Sequence, residues 1–168
     1  STGAYHTITL GTCENCTDNW KYGEDQYDYP NPPSLEYTNI HFFHLDWLGQ
    51  IDTNGVACSE TAFFTDFRNQ HSVNELTSWA IRGYTGGGLS SDIPIKLSWD
   101  SNKLSGASDN FQMFIYVGDT KYNMQEWDNI IVSQYELTLN ENNEPNIWVM
   151  LGGCADTGET LTYYQDFD

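Results

Sequence analysis

The sequence predicts an all-β fold, a sandwich of short antiparallel strands with an irregular N-terminal extension. Three observations carry that expectation. Residues 93–99 set apolar Ile93, Ile95, Leu97 and Trp99 in alternation with Pro94, Lys96 and Ser98, which is the period of a half-buried strand. Aromatic residues make up 15% of the 168-residue chain, eleven of them Tyr and six Trp, types that favour strands. No long window keeps a 3.6-residue period. Short β-prone runs instead recur between clusters of Gly, Pro, Asn and Asp, the spacing of a sandwich.

In chain order, residues 5–10 (YHTITL) form a first β-prone run, followed from residue 11 to 37 by an irregular stretch rich in Pro, Asn, Asp and Tyr. Residues 38–48 (TNIHFFHLDWL) read as a strand that bends near Gly49, and 62–67 (AFFTDF) as the next. Trp79 and Ile81 alternate with Ala80 and Arg82 ahead of Gly86-Gly87-Gly88, a connection too permissive to be helix or strand. Residues 111–117 (FQMFIYV) form a buried strand ending in a turn at Gly118-Asp119, then an irregular connection over 121–129. Residues 130–139 read as a strand with Tyr135, Leu137 and Leu139 in phase, 140–146 as a turn, and 147–151 as a strand. A last β-prone run covers 160–164. The expected division is an N-terminal strand and extension over 1–37, the sandwich over 38–154 and a tail over 155–168, one domain overall. Trp79, Ile81, Ile95, Leu97, Trp99, Met113, Ile115, Tyr135, Leu137 and Val149 are the expected core.

Six Lys and Arg stand against 24 Asp and Glu, a formal charge of −18. Nucleic acid is excluded as a partner, because its binding rests on neutralising phosphates with cations, and anionic lipid is disfavoured for the same reason. The longest apolar run, 147–151, is too short to span a bilayer, so no membrane insertion is expected. The four cysteines, Cys13, Cys16, Cys58 and Cys154, favour disulfides and an extracellular or cell-surface location over a zinc site, since the second pair lacks close spacing. Of three pairings, Cys13–Cys16 and Cys58–Cys154 are preferred.

Catalytic chemistry is not expected. The chain holds no G-x-S-x-G, Walker or dinucleotide element. His41 and His44 are three apart on an expected strand and so face opposite ways. Calcium is the one candidate cofactor, at Asp52, Asn54 and Glu60 or between Asp119 and Asp128, against ordinary turn capping by Asp and Asn. Trp20, Tyr22, Tyr27 and Tyr29 lie together in the extension, where aromatic faces suit sugar rings and a surface polysaccharide.

The order of motifs from Phe42 to Cys154 resembles a β-sandwich domain found near the C-termini of type IX secretion cargo proteins. The resemblance rests on FFTDFR (63–68), SWAIR (78–82), LSWD (97–100), FIYVGD (114–119), YNMQ (122–125) and the strands at 134–139 and 147–152. Met124-Gln125 departs from the family's Met-Arg. The resemblance implies an Ig-like sandwich in a secreted or surface protein, and no activity. The expected function is therefore a non-enzymatic structural or adhesive subunit. It associates with copies of itself by strand addition through its ends, at Tyr5, Thr7 and Thr9 or at Leu161 and Tyr163. A glycan-binding module is the alternative.

Overall fold

The computed structural model describes residues 6–28, 36–69, 75–87, 92–104 and 111–153. Tyr5, Tyr29, Cys154, Leu161, Tyr163 and the whole tail 155–168 lie outside the described residues.

The fold is all-β, with two helices of four residues each among the described residues. The strands are β1 (Thr9–Cys13), β2 (Gln26–Tyr27), β3 (Tyr37–Phe43), β4 (Ala62–Asn69), β5 (Thr77–Gly86), β6 (Ile95–Ser98), β7 (Phe111–Val117), β8 (Thr120–Asn123), β9 (Asn129–Val132) and β10 (Ile147–Gly153). Helix α1 (Ser101–Leu104) follows β6, and α2 (Gln134–Leu137) follows β9. Eight strands form one sheet in the order β1-β4-β3-β5-β10-β7-β8, with β2 also on β4, while β6 and β9 form a separate two-stranded ribbon.

The expected antiparallel pairing fails at one place. Strand β1 runs parallel to β4, from Thr9 opposite Thr65 to Cys13 opposite Asn69. Thr65 also faces Gln26 of β2, and Phe63 faces both Phe42 and Tyr27. Strand β2 therefore covers one side of β4, while β3 and then β1 share the other. The extension is thus less irregular than its composition suggests: two of its segments are strands of the main sheet.

Register explains the core. Phe63, Phe42, Ile81, Ile147 and Val117 are cross-strand neighbours in one row, and Trp79, Val149 and Ile115 in the next. Directly opposed residues share a face, and these rows are buried together with Ile95, Leu97, Ile130 and Val132 of the ribbon. The alternation in β6 gives this outcome: Ile95 and Leu97 are buried while Lys96 and Ser98 are exposed. Trp99 is partly buried, and its indole N–H lies 2.8 Å from the Met124 carbonyl and 2.7 Å from that of Trp127, which pins the 124–127 loop.

Three expectations are corrected. Ile93 lies before β6 and is exposed. The strand expected over 130–139 stops at Val132, because Ser133 and Glu136 form a reciprocal capping box that starts α2. A helical turn breaks the two-residue phase, so Leu137 is buried while Tyr135 is 73% exposed. The connection after Gly118-Asp119 is β8, which pairs with β7 through a two-residue hairpin with Gly118 at φ 54°.

Candidate functional site

Strand β3 ends at Phe43, and the chain then turns through 45–49. That turn carries His44 and Trp47 inward, where the rings stack with centroids 3.6 Å apart and planes 7° from parallel. Trp47 is fully buried and meets Phe63 edge-on at 5.2 Å. Strand β4 brings Asp66 and Arg68 to the same place. The Asp66 carboxylate is fully buried, with Oδ2 2.7 Å from His44 Nε2 and 3.1 Å from an Arg68 terminal nitrogen that donates to it. Arg68 Nε lies 2.7 Å from Asp66 Oδ1. That distance makes an ion pair, but the N–H is not aimed at the oxygen, and both atoms lack an aligned hydrogen bond. The guanidinium also sits 4.9 Å above the Trp47 ring.

His44 Nδ1 lies 3.3 Å from Asp46 Oδ1. Burial opposes a charge on the imidazole, but the hydrogen bonds to Asp46 and Asp66 outweigh it and hold its pKa above the ordinary histidine value. His44 Nε2 also lies 3.2 Å from an Arg68 terminal nitrogen, so the imidazole is held from both sides. The cluster's chemistry is that of a clamp. Arg68 donates to the Asp18 carbonyl at 2.8 Å, and Asn69 N donates to the Asp18 carboxylate at 3.1 Å. Both bonds tie the extension to β4.

Asp25 extends the clamp. It is 4% exposed and accepts from Lys21 N at 2.9 Å and Phe67 N at 3.3 Å. Burial, with the nearby Asp66 charge adding to it, pushes its pKa up to about 7 despite those two bonds.

His41 belongs to a second buried cluster. Its Nδ1 is 2.8 Å from Asn39 Oδ1, and Asn39 donates to Asp28 at 2.7 Å. His6 Nε2 lies 3.4 Å from the same carboxylate. Burial lowers the His41 pKa to about 4. Among the described residues no group of three His, Cys, Asp or Glu is placed to hold a metal ion.

The remaining candidate residues are distributed as follows. Cys13 and Cys16 are bonded, with Cα atoms 5.3 Å apart. Cys58 is buried, its thiol 3.3 Å from the Glu60 carbonyl, and its expected partner Cys154 lies outside the described residues. Trp20 is 3% exposed and stacks on Tyr27, which packs in turn on Phe63. Trp20 is thus part of the core, Tyr27 is half-buried against it, and Tyr22 is 61% exposed. Thr9 pairs within its own chain, opposite Thr65, and Thr7 precedes that strand. In the candidate calcium loop, Asp52 accepts from the backbone N–H groups of Asn54 at 2.9 Å and Val56 at 2.8 Å, which is turn capping. Asp128 accepts from the Asn129 side chain and, through its carbonyl, from Trp99 N.

Comparison with protein-family models, with curated proteins and with solved structures finds no match for this chain.

Proposed function

We propose that this protein is a non-enzymatic extracellular structural subunit that associates with copies of itself, the ribbon over the main sheet serving as the second layer of an Ig-like sandwich. The observation that carries the reading is the contrast between interior and surface. The groups with chemical potential are held inside: His44, Asp66 and Asp25 are buried, Arg68 is half-buried, and each bonds to another of them or to backbone. The surface instead presents apolar side chains, among them Leu45, Ile51, Ile131 and Tyr135, each more than half exposed. Exposed apolar surface of this kind marks contact with other macromolecules. Ribbon strands β6 and β9 pair only with each other among the described residues, so their outer edges are open to further strands. The Cys13–Cys16 bond fits an oxidising compartment.

Light scattering across a concentration series, with negative-stain microscopy, tests the reading. Particle mass is expected to grow with concentration; a monomer at every concentration overturns it. A glycan-binding role is the second reading, supported by the exposed Tyr22, and saturable binding on a glycan array that is lost in Tyr22→Ala would favour it.

A further inference from the structure

The main sheet has a second face, turned away from the ribbon. Ala80, Trp148, Tyr116 and Lys121 are cross-strand neighbours in one row, and Ser78, Met150, Phe114 and Asn123 in the next. These positions alternate along their strands with the buried rows that contain Ile81 and Trp79, so they point to the opposite face. Trp148, Tyr116, Phe114 and Met150 are half-buried, and none of them belongs to the core cluster. Trp148 is fixed in place by its indole N–H, which donates to the Pro145 carbonyl at 2.9 Å.

The charge on this face is unlike that of the molecule. Strands β5, β7, β8 and β10 contain no Asp or Glu, although 24 of the 168 residues are acidic. They do hold Arg82 and Lys121, two of the six Lys and Arg in the chain. Each cation lies over an aromatic ring. Lys121 Nζ is 3.7 Å from the Phe114 centroid, and the Arg82 guanidinium 5.5 Å from that of Phe43. Among the described residues neither enters an ion pair, whereas Lys21 pairs with Glu24 and Arg68 with Asp66. On the β3 side the face ends at the Asp28 carboxylate, which Asn39 and His6 hold.

We propose that this face binds an acidic polysaccharide, a chain of uronate-type sugars lying across β5, β10, β7 and β8. The inference rests on the glycan-binding reading above and moves its site from Tyr22 to the sheet. A sugar ring lays its apolar face on Trp148, Tyr116 or Phe114 and turns its hydroxyl rim to Ser78 and Asn123. Its carboxylate meets Arg82 or Lys121, cations that no carboxylate of the protein satisfies. Three strand spacings separate β5 from β8, roughly 14 Å across the sheet, so one chain of several rings reaches both. Half-buried rings present well under the roughly 800 Å² that each side of a standard protein interface buries, whereas a sugar chain covers only ring faces and their rim. Duplex nucleic acid would set many closely spaced phosphates against two cations. The acidic remainder of the molecule is largely screened beyond about 8 Å at physiological salt.

The test measures binding of the full chain to immobilised polygalacturonate, alginate and hyaluronan by biolayer interferometry, with neutral dextran and xylan beside them. Saturable binding to at least one uronate polymer is expected, at least about 10-fold tighter than to either neutral one. Lys121→Gln and Trp148→Ala are each expected to weaken it at least about 10-fold. Lys121 is exposed, so Lys121→Gln should melt with the parent and decides the matter even where Trp148→Ala unfolds. Tyr22→Ala should leave binding unchanged. Binding lost in Tyr22→Ala but kept in both sheet variants overturns this site and leaves the glycan-binding reading standing. Neutral polymers bound as tightly as the acidic ones overturn the proposal. No saturable binding to any polymer overturns both this site and the reading on which it rests. A parent that self-associates without polymer, and stops doing so in Lys121→Gln, assigns the face to a second copy and overturns the proposal as well.

Discussion

Asp66 is the residue on which most of the buried polar network depends, being fully buried between an imidazole and a guanidinium. Replacing such a pair by apolar groups is often neutral, but removing one partner leaves a buried charge uncompensated at about 3–5 kcal/mol. Arg68→Ala is therefore expected to destabilise the fold by that order in urea unfolding. Arg68→Lys should cost less, since it keeps the charge and loses only the planar fork over Trp47. Asp25 gives the pH dependence. Its folded-state pKa is about 7 against an ordinary 3.8, so the folded protein retains a proton that the unfolded chain has released. Between about pH 4 and 7 this makes stability fall as pH rises. His44, whose folded pKa is raised, contributes stability that is present below the ordinary histidine value and lost on further rise, which is the same direction. His41 acts oppositely: its folded pKa near 4 makes stability fall as pH drops below about 6.5. Asp25→Asn is thus expected to raise Tm more at pH 8 than at pH 5. An equal change at both pH values would remove Asp25 as the titrating group.

At the scale of elements, β3 and β5 approach closely where Gly83 faces Ile40. A Cβ at Gly83 would lie 2.6 Å from the Asn39 carbonyl oxygen and 3.4 Å from both Leu137 methyl groups. Gly83→Ala must push strand from strand and lift α2, and it is expected to lose on the order of 2–4 kcal/mol. Gly152→Ala is the matched control, because its Cβ meets only a Leu76 methyl at 3.2 Å, which can turn aside. Elements also show where the sequence was readable. Strand β6 was legible because it keeps a strict apolar period and buries it, and β7 and β10 because they are short apolar and aromatic runs bounded by Gly and Asn turns. Helix α2 was not, since Tyr135, Leu137 and Leu139 also satisfy a two-residue period; the signal that decides is Ser133 with Glu136, a pattern with its own mechanism. The clamp was half legible. FFTDFR was singled out as a motif, but nothing in the spacing of His44 tells that the strand ends one residue earlier and turns the ring onto Trp47. Strand β1 was misplaced because its Gly11-Thr12-Cys13 segment reads as loop, while its pairing partner lies more than fifty residues on. Deleting residues 1–13 removes a strand that the molecule pairs internally, so it is expected to lower Tm, whatever it does to particle size.

For the whole molecule the governing quantity is a charge of −18, and its distribution sharpens the effect. No Lys or Arg occurs between Lys21 and Arg68 or after Lys121, the two spans that hold the exposed Leu45, Ile51, Ile131 and Tyr135. Two copies brought together thus set one acidic surface against another. Apolar burial must offset that repulsion, and repulsion between exposed charges is screened over about 30 Å at 10 mM salt but about 10 Å at 100 mM. Association is accordingly expected to strengthen from 10 to 300 mM sodium chloride, with the weight-average mass from sedimentation rising at fixed protein concentration. Contacts made by pairing opposite charges weaken under the same change. A mass that falls with salt would assign the association to ionic contacts, and the exposed apolar side chains would no longer explain it.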